Sequence, residues 1–393
     1  MAHTISSQML RPEERILLAS LQMSWTESEK LKLARNISEV ENWDYFNERA
    51  VDTYLGTTVY VRLVKGLKLS FPKHVLKMLE SMYFQVLVKN TQLIGAYDEQ
   101  ALEFNKLELV HIPLKGIHFL KESFSNDIGI RQLSDIDLLF QSVHAAKVHK
   151  GLTDLGYSVY LTMPIRISKL LKNPTPYNYS KNGVTLDVHY ALNRLESFNI
   201  SMDEVWKSAT KIESSFEYHL GLEDQLIHLC THAFLHLKIF DLKQISFLDI
   251  VTLLFSEKVN WDLLKIKMSQ YNCEEETASI LFLVNQYFQS EIPESIIELL
   301  KEEQIMELIV KFMLLLREDK TKLKAAHYKM KDRYFQFFHL LNWKERILFV
   351  VYYIFPDKTY LMQLYGSKSN WFFLWLKHVK QNTMNVFLSP KSR

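Results

Sequence analysis

The spacing of hydrophobic residues divides the chain into two helical regions with a short, differently patterned segment between them. Up to residue 108, apolar residues recur every three or four positions in RPEERILLASLQ, in TESEKLKLARNISEV and in the long run from about Phe71 to Leu107. This period is typical of amphipathic helices. It returns after Asn193 and continues almost to the last residue, with Pro293 and Pro356 as breaks. The pattern predicts a predominantly helical chain.

The middle of the chain has a different pattern. HIPLKG and YSVYLT are short and β-like, whereas IHFLKESF and SVHAAKVHKGLTDLG have helical spacing, the second ending near Gly156. PYNYS and VTLDVHY are alternating runs joined through Asn182-Gly183, a dipeptide typical of two-residue hairpin turns. We therefore expect an α+β fold in three parts: an N-terminal helical region (1–104), a small mixed-sheet core (105–195) and a C-terminal helical region (196–393).

Two carboxylates alternate with apolar residues in a further predicted strand, LSDIDLLF. Successive side chains of a strand point to opposite faces, so Asp135 and Asp137 share one face, while Ile136, Leu138 and Phe140 share the other. Like charges held this close repel each other and are costly to keep ionised. A divalent cation between them removes that cost, and such a pair is a usual way to hold Mg²⁺ for phosphate chemistry. Without a cation, the pair is only a strand with a solvated acidic face.

The second strand of the predicted hairpin offers a third carboxylate. Thr185, Asp187 and His189 share one of its faces, and its apolar residues share the other. If this strand lies beside the Asp135/Asp137 strand, three carboxylates can hold two divalent ions in the arrangement used for nucleotidyl transfer. His189 can then orient a metal-bound carboxylate, contact the acceptor or act as a base. A purely structural histidine fits its position equally well.

Taken together, these residues resemble a known family. The string consists of Leu114-Lys115-Gly116, Arg131, Asp135-Ile-Asp137-Leu-Leu and Leu186-Asp187-Val-His189. It resembles the bacterial family of uncharacterised nucleotidyltransferases, within the DNA polymerase β-like superfamily, whose core is flanked by helices. Two phrases outside the core, NWDYF near residue 42 and LIHLCTH near residue 226, fit this family as well. Members of the family occur among genes for polysaccharides and modified peptides, which implies a biosynthetic setting.

The resemblance also implies roles for individual residues. Catalysis and the binding of Mg²⁺ (or Mn²⁺) would fall to Asp135, Asp137 and Asp187, and nucleotide binding to Lys115, Gly116 and Arg131. The phosphate-binding turn of the superfamily usually reads Gly-Ser or Gly-Gly, so Lys115 adds a cation where a small residue is usual. Gly116 still lets backbone N–H groups approach a triphosphate at the start of a helix. The guanidinium of Arg131 suits a phosphate, although an ion pair with a nearby acid is an alternative role.

Three histidines, His228, His232 and His236, lie four residues apart in LIHLCTHAFLHLK. This spacing places them on one helical face and is compatible with zinc, but a metalloprotease would need Glu where Leu229 stands. A histidine-rich face that packs against the core or lines the cleft is the simpler interpretation, with His232 as a candidate on the acceptor side. Asp249 is an acid that could accept a hydrogen bond from one of these imidazoles.

Composition and charge narrow the class of protein. Of the 393 residues, 48% are hydrophobic and 23% are charged, and the net charge is +2, so there is no strong nucleic-acid signal. The two cysteines lack CxxC spacing, which argues against a disulfide framework or a thiolate zinc site. No signal-peptide pattern is present at the N-terminus. The longest uncharged apolar run near the end, Ile347 to Pro356, is far shorter than the ~20 residues that cross a bilayer. We expect a cytoplasmic protein without a transmembrane segment.

The stretch after Asp357 is basic and aromatic. It has no carboxylate, and its charged residues include Lys368, Lys377, Lys380, Lys391 and Arg393. The aromatic residues Trp371, Phe372, Phe373 and Trp375 are interleaved with them. Such a segment can touch an anionic membrane surface or a charged partner; a tail helix docked through its aromatic residues is the simpler alternative.

The patterns and the resemblance together predict a Mg²⁺-dependent nucleotidyltransferase. It would transfer a nucleotidyl group from an NTP or nucleotide-sugar donor to a hydroxyl or phosphate of a small-molecule, glycan or peptide acceptor. Two alternatives remain open, because a fold does not determine its chemistry. One is transfer of a sugar or phosphate to a peptide or glycan on the same scaffold. The other is a non-catalytic interaction protein that senses nucleotide.

Overall fold

The N-terminal region is helical, as its apolar spacing predicts. A computed structural model describes residues 10–161, 163–170, 177–192, 198–213, 215–238, 240–288, 290–317, 343–366 and 370–387. The N-terminal helices are α1 (Pro12–Ala19), α2 (Glu27–Ser38), α3 (Trp43–Asp52), α4 (Gly56–Thr58), which continues as a π-helical segment (Val59–Gly66), and α5 (Lys73–Lys106). The 34-residue helix α5 confirms the long helix predicted from about Phe71 to Leu107.

The middle region forms a five-stranded mixed sheet. Its elements are β1 (His111–Leu114), α6 (Lys115–Glu122), β2 (Ile136–Phe140), a 3₁₀ turn (Ser142–His144), α7 (Ala145–Asp154), β3 (Ser158–Leu161), α8 (Ile165–Leu170), β4 (Tyr177–Lys181) and β5 (Val184–His189). The strand order is β1-β2-β5-β4-β3. Only β2 and β5 run parallel, and the other neighbours are antiparallel. The α+β class with a small mixed sheet is therefore confirmed.

The hairpin prediction is confirmed in detail. Asn182 and Gly183 link β4 to β5 with φ values of 51° and 76°, the left-handed conformations that this kind of two-residue turn requires. Side chains of β5 alternate between buried and half-buried positions, with Asp187 and His189 on the half-buried face. All five residues of β2 are buried, so this strand is covered on both faces and its acidic face is not simply solvated.

The C-terminal region is mainly helical. Its helices are α9 (Met202–Ser208), α10 (Leu222–Lys238), α11 (Ser246–Ser256), α12 (Trp261–Gln270), α13 (Glu274–Phe288), α14 (Glu294–Ile297), α15 (Glu302–Arg317), α16 (Trp343–Ile354), α17 (Lys358–Tyr365) and α18 (Trp371–Phe387). One part of the helical prediction is wrong, because β6 (Thr210–Lys211) and β7 (Tyr218–His219) form a small ribbon. The carbonyl of Phe216, beside β7, accepts a bond from the backbone N–H of His111, which satisfies a donor of β1.

The N-terminal helices hold the loop that leads into β2. Asn90, on α5, donates its side-chain amide to the carbonyls of Ile128 and Arg131, at 2.6 and 2.7 Å. The hydroxyls of Thr57 and Thr58 donate to the carbonyl of Ile130. One hydrophobic core runs from Leu10 to Leu316 and includes residues of all three predicted regions. The division of the chain into three regions, with boundaries at residues 104 and 195, therefore remains a prediction. The loop before β2 belongs to the middle region but is held by side chains of the N-terminal region.

The C-terminal helices pack beside the edge of the sheet. The side chain of Gln363 bonds to both the N–H and the carbonyl of Leu161 on β3, at 2.6 and 3.1 Å. Trp371 and Trp375 stack on Phe355, with ring centroids 6.5 and 5.5 Å apart. Their neighbours Phe372 and Phe373 are exposed. Both tryptophans therefore pack on Phe355, just after α16, and docking of the tail helix on the rest of the bundle stays a prediction.

Three basic residues of this segment, Lys368, Lys391 and Arg393, lie outside the described residues. Among the described helices, none has both the length and the apolar character needed to span a membrane. The cytoplasmic location remains a prediction.

Candidate active site

The parallel pair β2–β5 places two of the predicted carboxylates side by side. Asp137 and Asp187 are direct partners in the register of these strands. Residues two apart on a strand share a face, so His189 lies on the same face as Asp187. The His189 Nε2 is 2.9 Å from the Asp137 Oδ1 and 3.4 Å from the Asp187 Oδ2. The strand order therefore supplies the third carboxylate, which the alternating pattern alone could not place.

Lys115 completes this group from the end of β1. Leu114 pairs with Asp137, so the next residue along the chain starts α6 beside the same carboxylate. The Lys115 Nζ donates to the Asp137 Oδ1 at 2.8 Å, and the side chains are only 14% and 8% exposed. Lys115 has a φ of 50°, a left-handed conformation that is uncommon for a residue with a side chain and tends to occur at functional sites.

The surroundings shift the pKa values of Asp137 and Asp135 in opposite directions. Burial raises the pKa of Asp137, but the Lys115 ammonium and the hydrogen bond from His189 outweigh it and hold the pKa well below its usual value. Asp135 lies just before β2 and accepts a 2.7 Å bond from the Ser134 hydroxyl. Burial, and then the charge of Asp137, raise the pKa of Asp135. Of these two carboxylates, Asp137 is therefore the more firmly ionised.

The donor set fits a divalent cation. Among the described residues, Asp137, Asp187 and His189 form the one group in which three potential ligand atoms lie within 4.8 Å of one another. Mg²⁺ in phosphate-transfer sites is usually held by one or two carboxylates together with substrate phosphates and waters. Carboxylates suit Mg²⁺ and Mn²⁺, whereas an imidazole is a more usual ligand for Zn²⁺, Fe²⁺ or Ni²⁺. Asp135 is not part of this close group, although its charge interacts with those of Asp137 and Asp187.

Arg131 pairs with an acid from the C-terminal helical region. Its Nε and Nη2 donate to the two carboxylate oxygens of Asp249, on α11, both at 2.6 Å. Both side chains are buried, and Asp249 outweighs burial to raise the pKa of Arg131. The structure thus shows the ion-pair alternative for Arg131, and Asp249 bonds to Arg131 rather than serving a histidine as we had suggested. A role for Arg131 in nucleotide binding stays a prediction.

Close packing around Gly116 leaves no room for a side chain at this position. It lies in the first turn of α6, directly against the Arg131/Asp249 pair. A Cβ at this position would lie 2.7 Å from the Arg131 Cζ and would also overlap the Cδ1 of Leu133. The approach of backbone N–H groups to a phosphate remains a prediction, but the close approach of the α6 backbone to Arg131 is part of the fold.

Gly116→Ala is expected to lower the free energy of unfolding by about 1–3 kcal/mol, as overpacking of a filled core usually does. Chemical denaturation measures this directly. Gly95→Ala is the matched control, because Gly95 is in the middle of α5. Apart from its chain neighbours and the surrounding helix backbone, no atom of the described residues lies within 4 Å of the added Cβ. That variant should gain up to about 1 kcal/mol from helix propensity. Equal stability for Gly116→Ala and the unmodified protein would contradict the packing argument.

Two of the three histidines of α10, His228 and His232, lie within electrostatic reach of Lys115 and Asp137. Ring centroids are 6.1 Å apart for His228 and His232 and 4.5 Å apart for His232 and His236, so the single helical face is confirmed. Burial, followed by the charge of Lys115, lowers the pKa of His232 well below its usual value. The same causes lower the pKa of His228 to about 3. The i,i+4 spacing already places His228 on the same face as His232 in the sequence, although of the two only His232 is predicted there as a site residue.

The buried His228 should make the protein sensitive to acid. In the unfolded chain this imidazole takes up a proton near pH 6.5, whereas in the folded protein it does so only near pH 3. Because the unfolded state binds more protons in this interval, stability falls as the pH drops through it. Between about pH 7 and pH 4 the loss from this one group is about 3 kcal/mol.

His228→Leu should therefore flatten the acid side of the stability profile, as measured by urea unfolding across that range. The comparison is between pH slopes, so a constant change in stability caused by the new side chain cancels. Identical slopes for both proteins would show that His228 takes up its proton at the same pH in the folded protein as in the unfolded chain.

The architecture is that of a nucleotidyltransferase core embedded in helices. The family model of the uncharacterised nucleotidyltransferases matches residues 39–289, which is more than half of the chain, and the chain belongs to this family. The matched span contains every residue of the carboxylate, lysine and histidine groups described above. No curated protein and no solved structure shows significant similarity to the chain.

Proposed function

We propose that the protein is a metal-dependent nucleotidyltransferase that uses the group formed by Asp137, Asp187, His189 and Lys115. The observation that carries this proposal is the convergence of three ligand atoms within 4.8 Å on the central parallel strands. Membership of the nucleotidyltransferase family supports the reaction class. A divalent ion held there would neutralise charge on the α-phosphate and on the departing pyrophosphate. In this proposal Asp135 assists through its charge rather than as a primary ligand.

The chain's own residues have separate tasks in the reaction. The acceptor hydroxyl oxygen forms a bond to the α-phosphorus of an NTP, the bond from that phosphorus to the bridging oxygen breaks, and pyrophosphate leaves. The hydroxyl proton passes to Asp187, with His189 beside it at 3.4 Å as the next group in reach. The ammonium of Lys115 and the first turn of α6, at Gly116, bind the phosphate chain, since the start of a helix favours anions.

The histidines of α10 favour a hydroxyl over a phosphate as the acceptor group. The lowered pKa values of His228 and His232 keep both imidazoles neutral near pH 7. A neutral imidazole has one donor and one acceptor nitrogen, which matches a hydroxyl, a group that also donates and accepts. An anionic acceptor would be served better by a cation. We assign His232, the more accessible of the two, to the acceptor side.

A binding screen followed by product analysis tests the proposal. Each of the four NTPs and several nucleotide-sugars is added with and without Mg²⁺ while thermal unfolding is recorded. A donor that raises the unfolding temperature only when the metal is present supports the proposal, because a ligand that binds only the folded state stabilises it. Stabilisation by no donor in either condition would count against it. Mass spectrometry of the modified acceptor then distinguishes nucleotidyl transfer from the transfer of a sugar or phosphate.

A further inference from the structure

The contact between Lys115 and Asp137 involves the same carboxylate oxygen as the contact to His189. The Asp137 Oδ1 accepts from the Lys115 Nζ at 2.8 Å and from the His189 Nε2 at 2.9 Å. Each carboxylate oxygen has about two lone-pair positions, so both positions on this oxygen are used. His189 belongs to the three-ligand group, whereas Lys115 does not. A cation bound by this oxygen therefore competes with the ammonium of Lys115. If the same cation also binds the His189 Nε2, that nitrogen gives up its proton, since a metal-bound imidazole nitrogen carries none.

Electrostatics and side-chain geometry make Lys115 the group that moves. An ammonium and a divalent ion on the same buried oxygen repel each other strongly at low dielectric. The four-carbon stem of lysine can swing its charge to a new position, while His189 is held on β5. A favourable place for the charge is the first turn of α6, which Lys115 itself begins. At that position the ammonium and the N-terminus of the helix can both bind the phosphate chain of the nucleotide.

We propose that the Lys115 ammonium is an exchangeable cation, which neutralises Asp137 until a divalent ion takes that oxygen and which then moves to the phosphate chain of the nucleotide. This inference rests on the proposed function and adds an order of events to it. The site accepts the metal together with the triphosphate, because the phosphate chain gives the displaced ammonium a new partner. The substrate is then the metal–nucleotide complex rather than the metal and the nucleotide bound independently.

Binding of Mn²⁺ alone, measured by electron paramagnetic resonance, provides the first test. Lys115→Met removes the competing charge but keeps the length of the side chain and the unbranched Cβ at the left-handed backbone position. We expect it to bind Mn²⁺ about tenfold more tightly than the unmodified protein, since a charge-assisted hydrogen bond no longer has to be broken. In the second measurement, the complex of Mn²⁺ with inorganic triphosphate should bind about tenfold more weakly to Lys115→Met, because the phosphate chain loses a cation.

A matched control separates this exchange from the loss of any buried ion pair. Lys267, on α12, donates to Asp224 at 2.5 Å, and the two side chains are 12% and 0% exposed. Their burial is close to that of Lys115 and Asp137. Lys267→Met should lower the unfolding temperature but leave both affinities unchanged. A second site variant, Lys115→Gln, repeats the measurement with a polar side chain and should give the same two opposite changes.

The outcomes distinguish this inference from the proposed function. Equal Mn²⁺ affinities for Lys115→Met, Lys115→Gln and the unmodified protein would overturn the exchange and leave the metal site intact. A loss of both affinities in the Lys115 variants would likewise overturn it and assign Lys115 a purely structural role. If none of the proteins binds Mn²⁺, either alone or as its complex with triphosphate, the proposed function is overturned, and the exchange with it. Opposite changes in the two affinities support the exchange.

Discussion

Asp137→Asn is expected to reduce nucleotidyl transfer by about a thousandfold, equivalent to about 4 kcal/mol of transition-state stabilisation. Asp137 occupies the centre of the site: it is paired with Asp187 across the parallel strands and bonded to Lys115 and His189. An asparagine keeps the shape of the side chain but removes the charge, so the affinity for Mn²⁺ should fall as well. Initial rates and Mn²⁺ binding, measured on the same preparation, test both expectations.

Comparison with the other acids makes this prediction specific. Asp187→Asn should resemble Asp137→Asn, whereas Asp135→Asn should be milder, because Asp135 lies outside the close ligand group. The control is Asp224→Asn: Asp224 is fully buried and bonded to Ser208, Lys267 and Tyr271. It should lose stability but retain its Mn²⁺ affinity. Full activity in Asp137→Asn would exclude the proposed site.

Arg131→Met is expected to lower the free energy of unfolding by about 3–5 kcal/mol, the usual cost of removing one partner of a buried ion pair. The remaining carboxylate of Asp249 would be buried without the two 2.6 Å bonds that it accepts from Arg131. This pair joins the loop before β2 to α11, so its loss should also loosen the contact with Gly116. Urea unfolding followed by circular dichroism measures the change.

A double variant and a surface control identify the cause. Arg131→Met combined with Asp249→Leu should recover most of the lost stability, because replacing both partners by apolar groups leaves no unpaired charge. Lys150→Met removes an exposed pair with Asp154 on α7 and should leave stability unchanged, as is usual for surface pairs. If Arg131→Met instead kept its stability and lost nucleotide affinity, Arg131 would have the nucleotide-binding role that the family resemblance implies.

The local sequence pattern was sufficient to predict those structural features that depend only on residues close together along the chain. The 3.6-residue spacing identified α5, and the two-residue spacing identified the faces of β5, because side-chain direction follows from backbone geometry alone. The Asn182-Gly183 turn was predictable for the same reason, since few residues adopt left-handed conformations at low cost. The ribbon formed by β6 and β7 was missed because its strands are two residues each, too short to show a period.

The sequence by itself therefore determined the α+β class, the family and the candidate acids, because spacing and motif are local properties. Only the tertiary structure decided how these residues meet. Asp137 and Asp187 became neighbours through the parallel pairing of β2 and β5, and Arg131 found a partner 118 residues away. Lys115 reached Asp137 because the end of β1 lies beside β2. Such contacts depend on which strands and helices pack together, and that choice is made by the burial of the whole core rather than by any one segment.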